Sequence, residues 1–372
     1  MPTIGIDASR AVSNRRTGTE NYSLHLIRAL CDLDRDQVIR LYYRAGSDGS
    51  RLPPASPDVD HREVRGGRLW THIHLARALR RSPVDLLFVP AHVIPIVHPP
   101  SVVTIHDLGY LDRADDHPAR QRLMLDATTR WNLRAARRVI VPSAFTASDI
   151  AARFPRVESK IDVVPHGVSA DFGPRSAESI GDTLNRLGVT APYVLSVGTI
   201  QPRKDYPTLA EAVAIHNRHS ADIPLHLVVV GRPGWLVERV LDHVEPFREA
   251  ARLSILTTVE DADLPALYSG AFAYVQSSRF EGFGMPILEA MACGAPVICA
   301  DSSSLPEVAG AAGMLFETGN AQDLADRLSL LRRRPDTRVT LARRGIDRAK
   351  RFNWSRAADA TLDVLERAMN QP

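Results

Sequence analysis

Two successive series of short apolar runs, separated by longer amphipathic stretches, limit the folds open to this chain more than any other feature. The first series is Ile4–Ile6, Val38–Tyr43, Leu86–Val89, Val102–Ile105, Val139–Val141 and Ile161–Val164. The second is Tyr193–Val197, Leu225–Val230, Ser254–Leu256, Ala273–Val275, Val297–Cys299 and Gly313–Phe316. These runs are nearly continuous rather than alternating, the pattern of parallel strands covered by helices on both faces. Helical spacing of apolar residues marks Glu20–Leu30, Arg120–Ala136, Thr208–Asn217 and Leu324–Leu331 between them. The alternation predicts the α/β class, as two doubly wound Rossmann-like domains. With 372 residues there is chain enough for two cores. A stretch without strand signal, 167–192, contains Pro174, Gly181 and Pro192 and carries the boundary, so the domains are expected at 1–175 and 176–352. After Phe352-Asn353-Trp354 a last helix, Ser355–Met369, has no strand to pair with and must dock on surface already formed.

Composition removes several classes. Three cysteines, Cys31, Cys293 and Cys299, neither form a disulfide framework nor show metal-ligand spacing, and read as free thiols. The N-terminus Met1-Pro2-Thr3-Ile4-Gly5-Ile6-Asp7 lacks a signal-peptide pattern, and no apolar run approaches the roughly 20 residues that span a bilayer. A cytoplasmic protein is expected. The net charge of +3 conceals an asymmetry: residues 1–178 hold 25 basic and 20 acidic side chains, the remainder 21 and 23. That excess is too small to suggest nucleic acid but places the basic surface in the N-terminal half. Lysine occurs only at positions 160, 204 and 350.

Open α/β sheets take ligands at the carboxyl ends of their strands, in a crevice such as two facing domains would leave. No strand is followed by G-x-G-x-x-G, and no G-x-x-x-x-G-K-[ST] is present, which argues against dinucleotide and P-loop chemistry. The informative stretch is instead Glu281-Gly282-Phe283-Gly284-Met285-Pro286-Ile287-Leu288-Glu289. It reads as a Gly-rich turn opening a helix near Met285-Pro286, with proline at a position where its missing N–H is harmless. Backbone N–H groups at Phe283, Gly284 and Met285, aided by the helix dipole, suit an anion such as a diphosphate. Glu281 before the turn and Glu289 about one helical turn beyond it can each accept hydrogen bonds from vicinal hydroxyls. Alone, such a pair also fits a polar loop with a capping glutamate.

Context decides between these. The chain resembles the retaining glycosyltransferases of family 4, which have the two-domain GT-B fold. The resemblance rests on E-x7-E at Glu281 and Glu289, on Ala292-Cys293-Gly294-Ala295-Pro296-Val297, and on Leu305-Pro306-Glu307-Val308 with Gly310 and Gly313. Gly198-Thr199-Ile200-Gln201-Pro202-Arg203-Lys204, Val230-Gly231-Arg232-Pro233-Gly234-Trp235 and Leu264-Pro265-Ala266-Leu267-Tyr268 complete it. It is most specific over 193–316. Within the family the loop ending Pro202-Arg203-Lys204 is similar to that of GDP-mannose-dependent mannosyltransferases, which also have Thr after the first Gly.

The resemblance implies transfer of a hexose from a nucleoside-diphosphate sugar to an acceptor hydroxyl with retention, by same-face substitution and without a covalent nucleophile. Arg203 and Lys204 would bind the diphosphate and stabilise it as it departs. Glu281 would orient the sugar hydroxyls, and Glu289 the ribose. Gly18 and Thr19, opening the first long helix, would face the donor phosphates, although Thr19 also reads as an ordinary N-cap. His106, in Ile105-His106-Asp107-Leu108, would approach the transferred sugar; Asp107 is a weaker candidate beside it. Val164-Pro165-His166-Gly167-Val168 reads as a structural crossing between domains. Gly231, Arg232, Val259 and Glu260 are candidates for the nucleotide end. A C-terminal helix crossing back onto the first domain is implied as well. No cofactor and no catalytic metal are expected: Asp261-Ala262-Asp263 fits a D-x-D pattern but reads as a helix start. The expected partners are the nucleotide sugar and a glycan or lipid-linked acceptor. Arg62, Arg65, Arg68, Arg77, Arg80 and Arg81, interleaved with Leu69, Trp70, Ile73, Leu75, Ala76 and Leu79, form either a basic amphipathic surface for an anionic membrane or a solvated helix over the core.

Overall fold

The computed structural model describes residues 1–13, 17–112, 119–220 and 223–371. They form two compact units, one taking in Met1–Leu111, Pro118–Gly167 and Asn353–Pro372, the other built on Val168–Phe352. The chain thus passes between units at Gly167–Val168 rather than near residue 175, and returns at Phe352–Asn353.

The first unit holds seven parallel strands: β1 (Thr3–Asp7), β2 (Val38–Arg44), β3 (Val59–Val64), β4 (Leu86–Val89), β5 (Ser101–Thr104), β6 (Arg138–Val141) and β7 (Ile161–Val163), in spatial order 3-2-1-4-5-6-7. The order reverses beside β1, which places the carboxyl ends of β1 and β4 at the topological switch point where such sheets bind ligands. Strands β4 and β5 are buried throughout, β4 along an unbroken apolar run and β5 with Ser101 and Thr104 at its ends. Strand β3 was not legible in the sequence. As an edge strand it needs apolar residues only at Val59 and Val64, and the four between are polar and more open to water. The helix Trp354–Met369 belongs to this unit and sets Ala357, Ala358, Val364, Leu365 and Ala368 into the same core as Ile4, Ile6, Leu26 and Ile27. Burying Val364 and Leu365 alone is worth about 1.5–3 kcal/mol each, enough to hold a helix that has no strand partner.

Two expectations are corrected here. Residues 62–81 are not a single solvated helix: Arg62 and Glu63 lie in edge strand β3, and the helical part is Trp70–Leu75 followed by Ala76–Arg81. Its apolar residues divide, with Trp70, Leu75, Ala76 and Leu79 in the interior and Leu69 and Ile73 on the surface at 60% and 37% exposure. The cap of the first long helix, Gly18–Asp32, is Thr17 and not Thr19. Glu20 explains the choice, since its carboxylate accepts the Thr17 backbone N–H at 3.0 Å and also the Thr17 hydroxyl.

The second unit holds six parallel strands: β8 (Tyr193–Val197), β9 (His226–Val230), β10 (Ser254–Leu256), β11 (Ala273–Gln276), β12 (Val297–Ala300) and β13 (Gly313–Phe316), in order 10-9-8-11-12-13. The order reverses beside β8. The loops after β8, β9 and β11 therefore converge on one end of the sheet.

Candidate active site

Backbone contacts in the second unit bring its sequence candidates together. Gly198, just after β8, donates its N–H to Val230 O at 2.9 Å, and Ile200 donates to Arg232 O at 2.9 Å. Gly231 lies so close that a Cβ there would sit 1.9 Å from Gly198 O. The next turn, Pro202–Lys204, is fastened to the loop after β11: Arg279 N–H donates to Arg203 O at 2.8 Å, and Ser277 Oγ to Lys204 O at 2.8 Å. The Arg279 guanidinium grips Asp205 through Nε at 2.8 Å and Nη2 at 3.2 Å.

This clamp sets both cations on Glu281. Arg203 Nη1 lies 2.7 Å from Glu281 Oε2, and Lys204 Nζ 2.5 Å from Oε1. The three side chains are 19%, 10% and 9% exposed. Burial favours the neutral acid, but the charges of Arg203 and Lys204 outweigh it and hold Glu281 well below the usual carboxylate range. Two cations facing one anion leave a unit of positive charge among largely buried side chains.

The glutamate also opens the Gly-rich turn. Its N–H donates to Ser303 Oγ at 2.8 Å, while Ser304 Oγ donates to Glu281 O and Phe283 O, both at 2.9 Å. Gly284 has φ 104°, a left-handed conformation that side chains avoid, and precedes the helix Met285–Ala292, with Pro286 in its first turn. Gly282 and Gly284 thus hold the turn at the helix N-terminus, whereas the Phe283 side chain is core, edge-on to Phe352. Inside the helix, Glu289 accepts the Tyr268 hydroxyl at 2.9 Å. Burial pushes its pKa up to about 7; the Tyr268 bond opposes the rise and Asp261 adds to it. Val259 packs on the core and Glu260 is exposed, as is Arg232. Asp263 is held by Arg186 through two bonds of 3.0 and 2.6 Å.

In the first unit His106 follows β5 and its Nε2 lies 3.1 Å from Pro90 O, so that nitrogen carries the proton. Burial lowers the His106 pKa against the pull of that carbonyl, and the ring is neutral at pH 7. Tyr22 stands edge-on to it at 4.8 Å and packs on His166 at 4.4 Å, with Trp354 stacked on His166 at 6.3 Å. His166 therefore belongs to an aromatic cluster with the candidate His106, which the sequence reading as a crossing did not foresee. Asp107 accepts the Gly109 N–H at 2.9 Å and starts a helical turn. Gly18 and Thr19 form the first turn of the helix Gly18–Asp32; Gly18 is exposed and Thr19 partly so. Arg10 pairs with Glu20 at 3.1 Å beside this turn.

Two doubly wound parallel-sheet units, Rossmann-like and of the α/β class, make the GT-B fold. The family comparisons agree: residues 16–172 match the family described as Glycosyltransferase Family 4, and residues 185–348 the one described as Glycosyl transferases group 1. The chain belongs to the family 4 glycosyltransferases. It is 27% identical to O-antigen chain mannosyltransferase B of Escherichia coli over 97% of its own length and 99% of the relative's. Among solved structures it resembles the sucrose-phosphate synthase of Thermosynechococcus elongatus (TM-score 0.76, 20% identity, 99% of both chains). It also resembles Anabaena HepE in complex with UDP-glucose (TM-score 0.75, 18% identity, 99% of this chain and 100% of that one). Among the described residues no helix is long and apolar enough to cross a membrane.

The raised pKa of Glu289 gives a pH signature. Its carboxylate forms as pH rises through about 7, and only the carboxylate can accept both hydrogens of a diol. Donor affinity is expected to fall as pH drops below 7, by up to about tenfold per unit. Glu281, ionised throughout, adds nothing in this range. Titration calorimetry from pH 5.5 to 8.5 checks this; an equally steep profile in Glu289→Gln would refute the assignment.

Proposed function

We propose that this glycosyltransferase retains configuration and moves mannose from GDP-mannose to a hydroxyl of a glycan or glycolipid acceptor, in polysaccharide or cell-envelope assembly. The observation that carries the reading is the buried Arg203–Glu281–Lys204 set beside the N-terminus of Met285–Ala292. In the step proposed, the bond between the sugar's anomeric carbon and the diphosphate oxygen breaks. The acceptor oxygen joins that carbon on the same face, and its proton passes to the departing phosphate. Arg203, Lys204 and the N–H groups of the Gly282–Met285 turn stabilise the charge that develops. Glu281 holds the sugar hydroxyls, Glu289 the ribose, and the neutral His106 imidazole the far side of the sugar. The family resemblance assigns Gly18 and Thr19 to the phosphates, and Gly231, Arg232, Val259 and Glu260 to the nucleotide. No metal enters this scheme, because fixed side-chain cations supply the positive charge; unchanged rates in EDTA are expected.

Likeness to the E. coli mannosyltransferase supports mannose. A UDP-sugar donor is the second reading, supported by the HepE complex with UDP-glucose. A thermal-shift panel separates them. A donor at 100 times its Kd stabilises by about 2.7 kcal/mol, so GDP-mannose is expected to shift the midpoint and UDP-glucose not. The reverse result selects the second reading, and no shift with either removes the nucleotide-sugar site. Transfer of an unaltered sugar to acceptor separates the enzyme from a non-catalytic binding relative.

Peripheral contact with an anionic membrane is proposed for the surface bearing exposed Leu69 and Ile73 among the exposed arginines at 65, 68, 77, 80 and 81. Cosedimentation with phosphatidylglycerol vesicles is expected to weaken in Leu69→Ser/Ile73→Ser. Absence of binding at low and high salt alike would sink the proposal.

A further inference from the structure

We propose that Tyr274 and Gln276 form a charge-neutral brace that positions Glu281 for the transferred sugar, a reading that rests on the donor site proposed above. Both lie on β11, two residues apart and so on one face of the strand. Tyr274 is 0% and Gln276 2% exposed. The Tyr274 hydroxyl donates to Gln276 Oε1, and Gln276 Nε2 donates to Ser278 Oγ at 2.6 Å and to Glu281 Oε1 at 2.9 Å. Each polar group of the amide is engaged, so the pair avoids the penalty of unsatisfied burial. The arrangement also has a direction. Burial, with Tyr206 and the two glutamates nearby, keeps the Tyr274 proton on its oxygen. The phenol is then a donor, the amide must turn its carbonyl toward it, and the N–H groups face Ser278 and Glu281.

Arg203 and Lys204 hold Glu281 by charge, and a diphosphate competes for both. An amide N–H is held by no such competition. When the cations turn toward the ligand, Oε1 keeps its bond to Gln276, and Oε2, otherwise held by Arg203, faces the sugar hydroxyls. Gln276 thus preserves the carboxylate's position at the stage when its ionic partners are drawn away. Neither residue touches substrate in this scheme; both act through Glu281.

The test uses Gln276→Met, which keeps volume but removes the donor, and Tyr274→Phe, which releases the amide. Loss of a hydrogen bond to a charged group corresponds to about 10- to 100-fold in rate, and kcat for transfer is expected to fall by that much in both. Affinity for the free nucleoside diphosphate should stay within about twofold of wild type, since its cations remain. The pair used is GDP with GDP-mannose or UDP with UDP-glucose, whichever shifts the wild-type midpoint. A merely structural role would weaken nucleoside-diphosphate binding and lower the thermal midpoint together with the rate, and that outcome overturns the proposal. So does unimpaired transfer in Tyr274→Phe when Glu281→Gln abolishes it, even should Gln276→Met fail to fold. Full transfer in Glu281→Gln would instead remove the donor-site reading itself.

Discussion

Replacing Lys204 with Ala is expected to slow transfer about 10²–10³-fold, the loss typical of removing a fixed group that stabilises charge in the transition state. The ammonium is nearly buried, 2.5 Å from Glu281 Oε1, and is fastened through its own backbone by Ser277. Its charge is therefore already in the site when the donor arrives, and it has only to turn from Glu281 to the diphosphate. Stability should fall as well, because the variant leaves a buried carboxylate with Arg203 as its one cation. Breaking a buried pair outright costs about 3–5 kcal/mol, and the remaining Arg203 keeps the loss below that. Adding Glu281→Ala to Lys204→Ala is expected to destabilise by less than the sum of the single changes, since each removes the other's partner. Single-turnover rates with urea unfolding of the three variants check both parts. Additive losses in stability, or transfer within tenfold of wild type, would show that the ion set is not what the site depends on.

Much of this site was legible because its chemistry is local in sequence. The turn Glu281–Met285 and the helix that follows are contiguous, so glycine, proline and carboxylate spacing announces them. Arg203 and Lys204 are likewise adjacent. What joins the two segments was not legible. Asp205 and Arg279 lie 74 positions apart, and neither carries a signal beyond its charge. Gln276 lies just past the apolar run Ala273–Val275 and carries no signal of its own; its value comes from facing the same way as Tyr274 and toward a carboxylate five residues on, which only the folded turn brings back. The same logic governs the fold. Buried strands such as β4 announced themselves, while edge strand β3, half in water, had no need of an apolar run. The division of 62–81 into edge strand and helix was not legible, because residues from both share one basic composition there. For His166, motif position suggested a crossing, and nothing in the sequence could show that Tyr22 and Trp354 would pack against it.

The largest stability effect is expected from Gly231→Ala, in a residue that makes no side-chain contact at all. Its added Cβ would meet Gly198 O at 1.9 Å, far inside contact distance, and the obstacle is backbone rather than a side chain able to rotate away. The loop after β9 must then part from the loop after β8, straining the bonds from Gly198 to Val230 O and from Ile200 to Arg232 O. A loss of about 2–4 kcal/mol follows from strain of this kind. Gly46 provides the comparison. It has φ 82°, yet nothing lies within 4 Å of where its Cβ would be, so alanine there meets conformational strain alone, about 1–2 kcal/mol. Because Gly46 and Gly231 lie in different units, hydrogen exchange locates each effect: Gly231→Ala should speed exchange in β8 and β9 and leave β1 and β4 as they were. Donor affinity should fall with it, since the Gly198 loop leads directly into Arg203 and Lys204. Wild-type donor affinity in Gly231→Ala would mean that the close approach of these two loops serves packing and not the phosphate site.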